Sequence, residues 1–150
     1  MLKRSITTLL AGLILSCGDG GVPLEPLSEL PYAVATASCG PADGPAVLIY
    51  LASMPIESLQ PVAPFIQVNI LRSITALDAG TVIQISESLS DANAWFRGSG
   101  VERQATGGEV GVTSRTTDTL TGYIDLRFTD GAPLRGTFSA TWTPRQMLCC

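Results

Sequence analysis

From Tyr32 onward the apolar positions fall in short runs or in strict alternation with polar ones, and Gly, Pro, Asp and Asn break the runs apart. A period of two with that punctuation predicts an all-β domain. The candidate strands are Tyr32 to Ser38, Ala46 to Ala52, Phe65 to Ile74, Thr81 to Ser86, Ala94 to Arg97, Val101 to Gln104, Glu109 to Arg115, Thr121 to Phe128 and Leu134 to Trp142. A turn around Ile56 to Leu59, between Pro55 and Pro61, is the expected helical exception. The expected architecture is an antiparallel β-sandwich or strongly curved sheet of about eight strands, ending in a C-terminal hairpin.

The last two strands predict their own register. Ile124, Leu126 and Phe128 alternate with Tyr123, Asp125 and Arg127, while Leu134, Gly136, Phe138, Ala140 and Trp142 alternate with Arg135, Thr137, Ser139 and Thr141. Opposed residues share a face, so a two-residue Asp130-Gly131 loop fails, because it sets Arg127 against Leu134. A three-residue loop, Thr129-Asp130-Gly131 with Gly131 left-handed, matches the faces. It pairs Asp125 with Arg135, Leu126 with Leu134, Gly122 with Phe138 and Ile124 with Gly136. Phe138 and Trp142 then point to the core.

Before Tyr32 the pattern is different. Lys3 and Arg4 precede an apolar stretch from Ile6 to Leu15, about ten residues, half of the roughly 20 that span a bilayer. Charge, apolar stretch and the small Ser16 make residues 1–16 an export signal to be removed. Ile14-Leu15-Ser16-Cys17 resembles the lipobox of bacterial lipoproteins. That resemblance implies diacylglycerol on the Cys17 thiol, a membrane partner reached through acyl chains, and a place in the cell envelope. Gly18, where retention in the inner membrane wants aspartate, favours the outer membrane. Residues 17–31 mix glycines with prolines and read as a tether. Its fourteen residues beyond Cys17 reach at most roughly 50 Å. Residues 32–150 form the β-domain.

Composition narrows the chemistry. A hydrophobic fraction of 45% with 15% charged residues belongs to a folded chain. Lys3 and Arg4 are two of nine basic residues, so the chain from Cys17 carries seven basic against 13 acidic side chains, a net charge of −6. That balance opposes nucleic acid. No lysine or histidine occurs after Lys3, which removes Schiff-base lysines, histidine bases and histidine metal ligands. No cofactor is expected.

With Cys17 acylated, Cys39, Cys149 and Cys150 remain, and export permits their oxidation. Joining Cys39 to either terminal cysteine closes a loop of about 110 residues, worth roughly 4 to 5 kcal/mol in the chain-entropy model. A bond between the adjacent Cys149 and Cys150 is the alternative, in a cramped ring. Three cysteines without histidine or a C-x-x-C pair make a poor zinc set, and no histidine is present to activate a catalytic thiol.

The run Ala37-Ser38-Cys39-Gly40-Pro41-Ala42-Asp43-Gly44-Pro45-Ala46, together with Thr129-Asp130-Gly131 and Leu134-Arg135-Gly136-Thr137-Phe138-Ser139-Ala140-Thr141-Trp142, resembles small lipoproteins of myxobacterial type. These carry a cysteine before a Gly/Pro/Asp turn and close with a DG turn, a G-x-F-x-A strand, a tryptophan and a cysteine. The resemblance covers two short segments and implies no activity.

Candidate chemistry is sparse. Trp95 and Phe96 are adjacent on a strand and point to opposite faces. An exposed Trp95 beside Arg97 suits stacking on a carbohydrate or anchoring a protein; the alternative is one ring in the core and the other under a loop. Two carboxylates are enough for glycoside hydrolysis, but Asp125 is taken by Arg135, and Glu102 and Glu109 are expected to flank a Gly107-Gly108 hairpin turn in solvent. Asp91 and Asn93 lack the calcium-loop pattern. Gly98-Ser99-Gly100 reads as a tight turn, with no lysine or helix start to make a phosphate loop. The expectation is a non-catalytic binding or structural module of the envelope. A small carboxylate hydrolase and an accessory subunit of an envelope complex are the alternatives.

Overall fold

The computed structural model describes residues 30–57, 59–88 and 91–145. Among them are nine strands: β1 (Tyr32–Cys39), β2 (Pro45–Ala52), β3 (Phe65–Ile70), β4 (Val82–Ser86), β5 (Ala92–Gly98), β6 (Val101–Gln104), β7 (Gly107–Arg115), β8 (Thr119–Arg127) and β9 (Leu134–Thr143). The alternation in the sequence marks every one of them. Phe65 to Ile74 is overextended: the strand stops at Ile70, and Ile74–Ala76 forms a single 3-10 turn capped by the Ser73 side chain. Where a helical turn is expected at Ile56 to Leu59, the Gln60 N–H donates to the Glu57 carbonyl at 3.1 Å, and none of the described residues there is helical.

The fold is all-β, and its sheet closes. Neighbours run β3-β2-β1-β9-β8-β7-β4-β5-β6, and β3 pairs again with β5 over six residues, which completes an eight-strand barrel with β6 as an extra strand. The all-β expectation holds, and a closed barrel stands where a sandwich or strongly curved sheet is expected. The ladders are antiparallel except β1 with β9 and the single β4–β5 pair Ile85 with Ala92. Alternation dictates one dry face per strand, but not whether a second sheet or the strand's own barrel covers it.

The barrel interior is filled in matched pairs. Ala35 lies opposite Ile49 on one side and Trp142 on the other, Ala94 opposite Val68, Gly122 opposite Phe138, Gly136 opposite Ile124 and Ala140 opposite Leu120. Small residues facing large ones let side chains from eight strands meet in one buried core, as small barrels require. Val47, Ile49, Leu51, Ile66, Val68, Ile70, Leu120 and Leu126 are fully buried.

The C-terminal hairpin has the expected register, with Asp125 opposite Arg135, Leu126 opposite Leu134, Gly122 opposite Phe138 and Ile124 opposite Gly136. Gly131 is left-handed at φ 112°, although the ladder ends at the Leu126–Leu134 pair, so the connection is wider than three residues. Gly98 pairs with Val101 around a tight Ser99-Gly100 turn, with Gly100 at φ 79°.

The Gly107-Gly108 hairpin does not exist. β6 runs on into β7 through a bend at Ala105-Thr106, and both glycines belong to β7. Gly108 has φ 127°, and a Cβ there would run into the Asp125 carbonyl. A Gly-Gly step therefore permits close strand approach here, where the sequence alone suggests a reversal.

Leu30, just before β1, is buried in the core. Cys39, at the end of β1, is disulfide-bonded. Cys17, Cys149 and Cys150, and with them the signal and most of the tether, lie outside the described residues. β9 runs parallel to β1, with Thr143 beside Thr36, so the last described residues travel toward the Cys39 end.

Candidate functional site

The interior positions are buried and apolar, so the exposed polar and aromatic side chains stand on the outer face. The outward rows of β2, β3, β5 and β6 carry its largest aromatic group. Tyr50 pairs with Gln67, Gln67 with Trp95, and Trp95 with Gln104; one step along, Phe65 pairs with Arg97 and Arg97 with Glu102. Tyr50 and Phe65 meet edge to face, with centroids 6.0 Å apart and planes at 72°. Contacts of this kind contribute about 0.5 to 1.5 kcal/mol beyond area burial.

The Arg97 guanidinium carbon lies 5.9 Å from the Trp95 ring centroid, at the outer limit of a cation–π contact, and its Nη1 bonds Glu102 Oε2 at 2.8 Å. Arg97 Nε is buried without a hydrogen-bond partner among the described residues. Burial raises the Tyr50 phenol above its ordinary value, with the Arg97 and Arg145 charges opposing. Tyr50, Phe65 and Trp95 are all half-buried, so each shows part of its ring to solvent. Phe96 points the other way and is buried in the core at 4% exposure. Trp95 and Arg97 thus meet on one surface, and Phe96 does not join them.

A second group lies across β4, β7, β8 and β9, where the outward row reads Gln84, Glu109, Asp125, Arg135. Glu109 sits between Gly107 and Gly111, and β8 places Arg127 over the first glycine and the Tyr123 ring over the second. Two missing side chains on β7 make room for two large ones from β8. Tyr123 O–H donates to Glu109 Oε1 at 3.0 Å and Gln84 Nε2 to Glu109 Oε2 at 3.3 Å, while Asp125 Oδ2 meets Arg135 Nε at 2.9 Å.

The hydrogen bond to Glu109 raises the Tyr123 phenol above its ordinary value, and burial and the Glu109 and Asp125 charges add to it. Like charges directly opposite one another on a sheet are unfavourable, so the partners around Glu109 and Asp125 offset a built-in repulsion. The row borders a cleft of about 260 Å³. Asp125 Oδ1 is buried without a hydrogen-bond partner among the described residues.

No protein-family model, curated protein or solved structure matches the chain. Its geometry is therefore the guide to function. Sequence reasoning found Trp95 and Arg97 but missed Tyr50 and Phe65, which join them only through the β2–β3 and β3–β5 pairings. It also missed the opposition of Glu109 and Asp125. The signal for that one was present: Gly107 and Gly111 two positions either side of Glu109 match Arg127 and Tyr123 two positions either side of Asp125.

Proposed function

We propose that the chain is an exported, lipid-anchored module of a bacterial envelope, located in the outer membrane, that binds a carbohydrate or protein partner through the outer face of its barrel. The leader, Cys17 and the glycine- and proline-rich tether support the anchor. Trp95 supports the binding role: it stands on the outside of a barrel whose interior is filled, beside Arg97, Phe65 and Tyr50. An aromatic surface with a cation at its edge suits the flat face of a sugar or the side chains of a protein.

Two measurements test this reading. Mass spectrometry of the processed chain made in a lipoprotein-processing bacterium should find Cys17 first and diacylated; an unacylated chain beginning after residue 17 overturns the anchor. Tryptophan fluorescence titrated with glucose and N-acetylglucosamine oligomers, or with solubilised envelope proteins, should change in the native chain and not in Trp95→Ala. Identical responses from both chains overturn the patch. An envelope protein that gave the response would make the chain its accessory subunit.

The Glu109–Asp125 opposition favours a second reading, a small hydrolase that uses two carboxylates. Its test is release of nitrophenol from aryl glycosides. Turnover by the native chain that Glu109→Gln abolishes would establish it, and no turnover would discard it.

A further inference from the structure

Every strand except β6 has a ladder neighbour on both sides among the described residues; β6 pairs with β5 alone. The Ala105 amide donates to the Ala94 carbonyl at 2.9 Å, so antiparallel alternation turns the peptide groups of Val101, Arg103 and Ala105 toward β5. Those of Glu102 and Gln104 turn away and meet no partner among the described residues. The next outward amide, Thr106, finds the Arg127 carbonyl at 2.8 Å, which shows where β8 stops covering this edge. Beyond Arg127 the segment Phe128 to Asp130 diverges from β6 and leaves a cleft of about 500 Å³ between the two.

The cleft has a fixed floor. Arg103 lies opposite the inward-facing Phe96, with its side chain only 13% exposed, and Nη1 donates to the Asp130 carbonyl at 3.2 Å. That bond ties the far wall to β6 from the inward-facing side of the strand. The lining carries more acid than base: Glu87, Glu102 and Asp130 are exposed against Arg103. Arg97 meets Glu102 from the neighbouring strand and Arg103 lies 3.9 Å from Asp130, which leaves Glu87 as the carboxylate without an ion pair among the described residues.

We infer that β6 is a docking edge for an extended, cationic segment of a partner protein, which adds to the sheet as a further strand. The exposed peptide groups of Glu102 and Gln104 supply the ladder, as in other strand-addition complexes. The acidic lining selects Lys or Arg at alternate positions, because side chains of an added strand on the outer face come beside Glu102 and Gln104. The same charges discourage a second copy of β6 from pairing there, the usual protection of a short edge. This inference rests on neither the lipid anchor nor the aromatic patch.

The test uses the full processed chain and two synthetic hexapeptides, Lys-Val-Lys-Val-Lys-Val and Glu-Val-Glu-Val-Glu-Val. Hydrogen exchange should slow over residues 101–104 with the cationic peptide and not with the acidic one. Gln104→Pro removes an outward N–H without touching a β5 bond, and should weaken binding by roughly tenfold or more in fluorescence anisotropy. Glu102→Lys keeps every peptide group and should shift preference to the acidic peptide, so the inference stays testable should the proline variant not fold. Equal binding of both peptides to the native chain, protection elsewhere than 101–104, or unchanged affinity in Glu102→Lys overturns it. Loss of cationic-peptide binding in Trp95→Ala with full binding in Gln104→Pro also overturns it, and assigns the peptide to the aromatic patch.

Discussion

The Tyr123 ring lies over Gly111, occupying the space a Cβ at residue 111 would take, and from there its hydroxyl reaches Glu109 Oε1 at 3.0 Å. Gly111→Ala therefore displaces the ring and breaks that hydrogen bond, at a cost of about 1 to 3 kcal/mol. Gly108→Ala is expected to cost more, at least about 3 kcal/mol, because its Cβ meets the Asp125 backbone and its left-handed φ is strained for alanine. Urea unfolding of the two variants checks the order. A Gly108→Ala chain as stable as Gly111→Ala contradicts the backbone approach.

The same phenol bears on stability at alkaline pH. Folding raises both Tyr123 and Tyr50 above the ordinary tyrosine value, so it favours the neutral phenols. That stability is fully present below about pH 10, the unfolded value, and is lost as pH rises through the higher folded values. Unfolding midpoints should hold steady up to that pH and fall above it. Tyr123→Phe should flatten the fall, since one of the two phenols is gone. A native chain with the same midpoint at about pH 9 and about pH 11 contradicts the raised values.

Arg135 and Asp125 should not be equivalent partners. Asp125→Asn removes one of two opposed carboxylates and relieves their repulsion while losing the ion pair, so its cost stays small, about 0 to 1 kcal/mol. Arg135→Ala removes the same ion pair and leaves Glu109 and Asp125 facing each other, so it should be the more destabilising change. The gap between the two variants should shrink as salt screens the repulsion. Equal effects in low and high salt refute this account.

Much of the barrel is legible in the sequence because its strands declare themselves in pairs of small and large residues. Gly122 beside Phe138 and Gly136 beside Ile124 follow from alternation and one loop length, and Asp125 beside Arg135 follows with them. Closure is not legible in this way. It depends on β3 returning to β5 and on β9 meeting β1 in parallel, contacts between segments far apart in sequence that no local period encodes. The aromatic patch inherits that limit, since Tyr50 reaches Trp95 only through the β3 row. Gly107-Gly108 shows a different one: glycine marks both reversals and close approaches, and only the neighbouring strand decides which.

Phe96 and Trp95 offer the sharpest separation of folding from binding, because neighbouring residues on one strand face opposite sides. Phe96 pairs with Ile66 inside the barrel and is 4% exposed, so Phe96→Ala opens a cavity and should cost about 3 to 5 kcal/mol. Trp95 pairs with Gln67 on the outer face and is half-buried there, so truncation removes apolar packing on the surface without opening a closed cavity in the core. Trp95→Ala should therefore cost less than Phe96→Ala, about 1 to 2 kcal/mol, while losing the ligand response that the native chain shows. Arg97→Ala should weaken that response to a lesser degree and leave Glu102 without its partner. Urea titration and tryptophan fluorescence on the three variants separate the roles, with Trp142 as the remaining reporter in Trp95→Ala. A Trp95→Ala chain as destabilised as Phe96→Ala would make the outer aromatics part of the packing, and the binding surface would then lie elsewhere on the barrel.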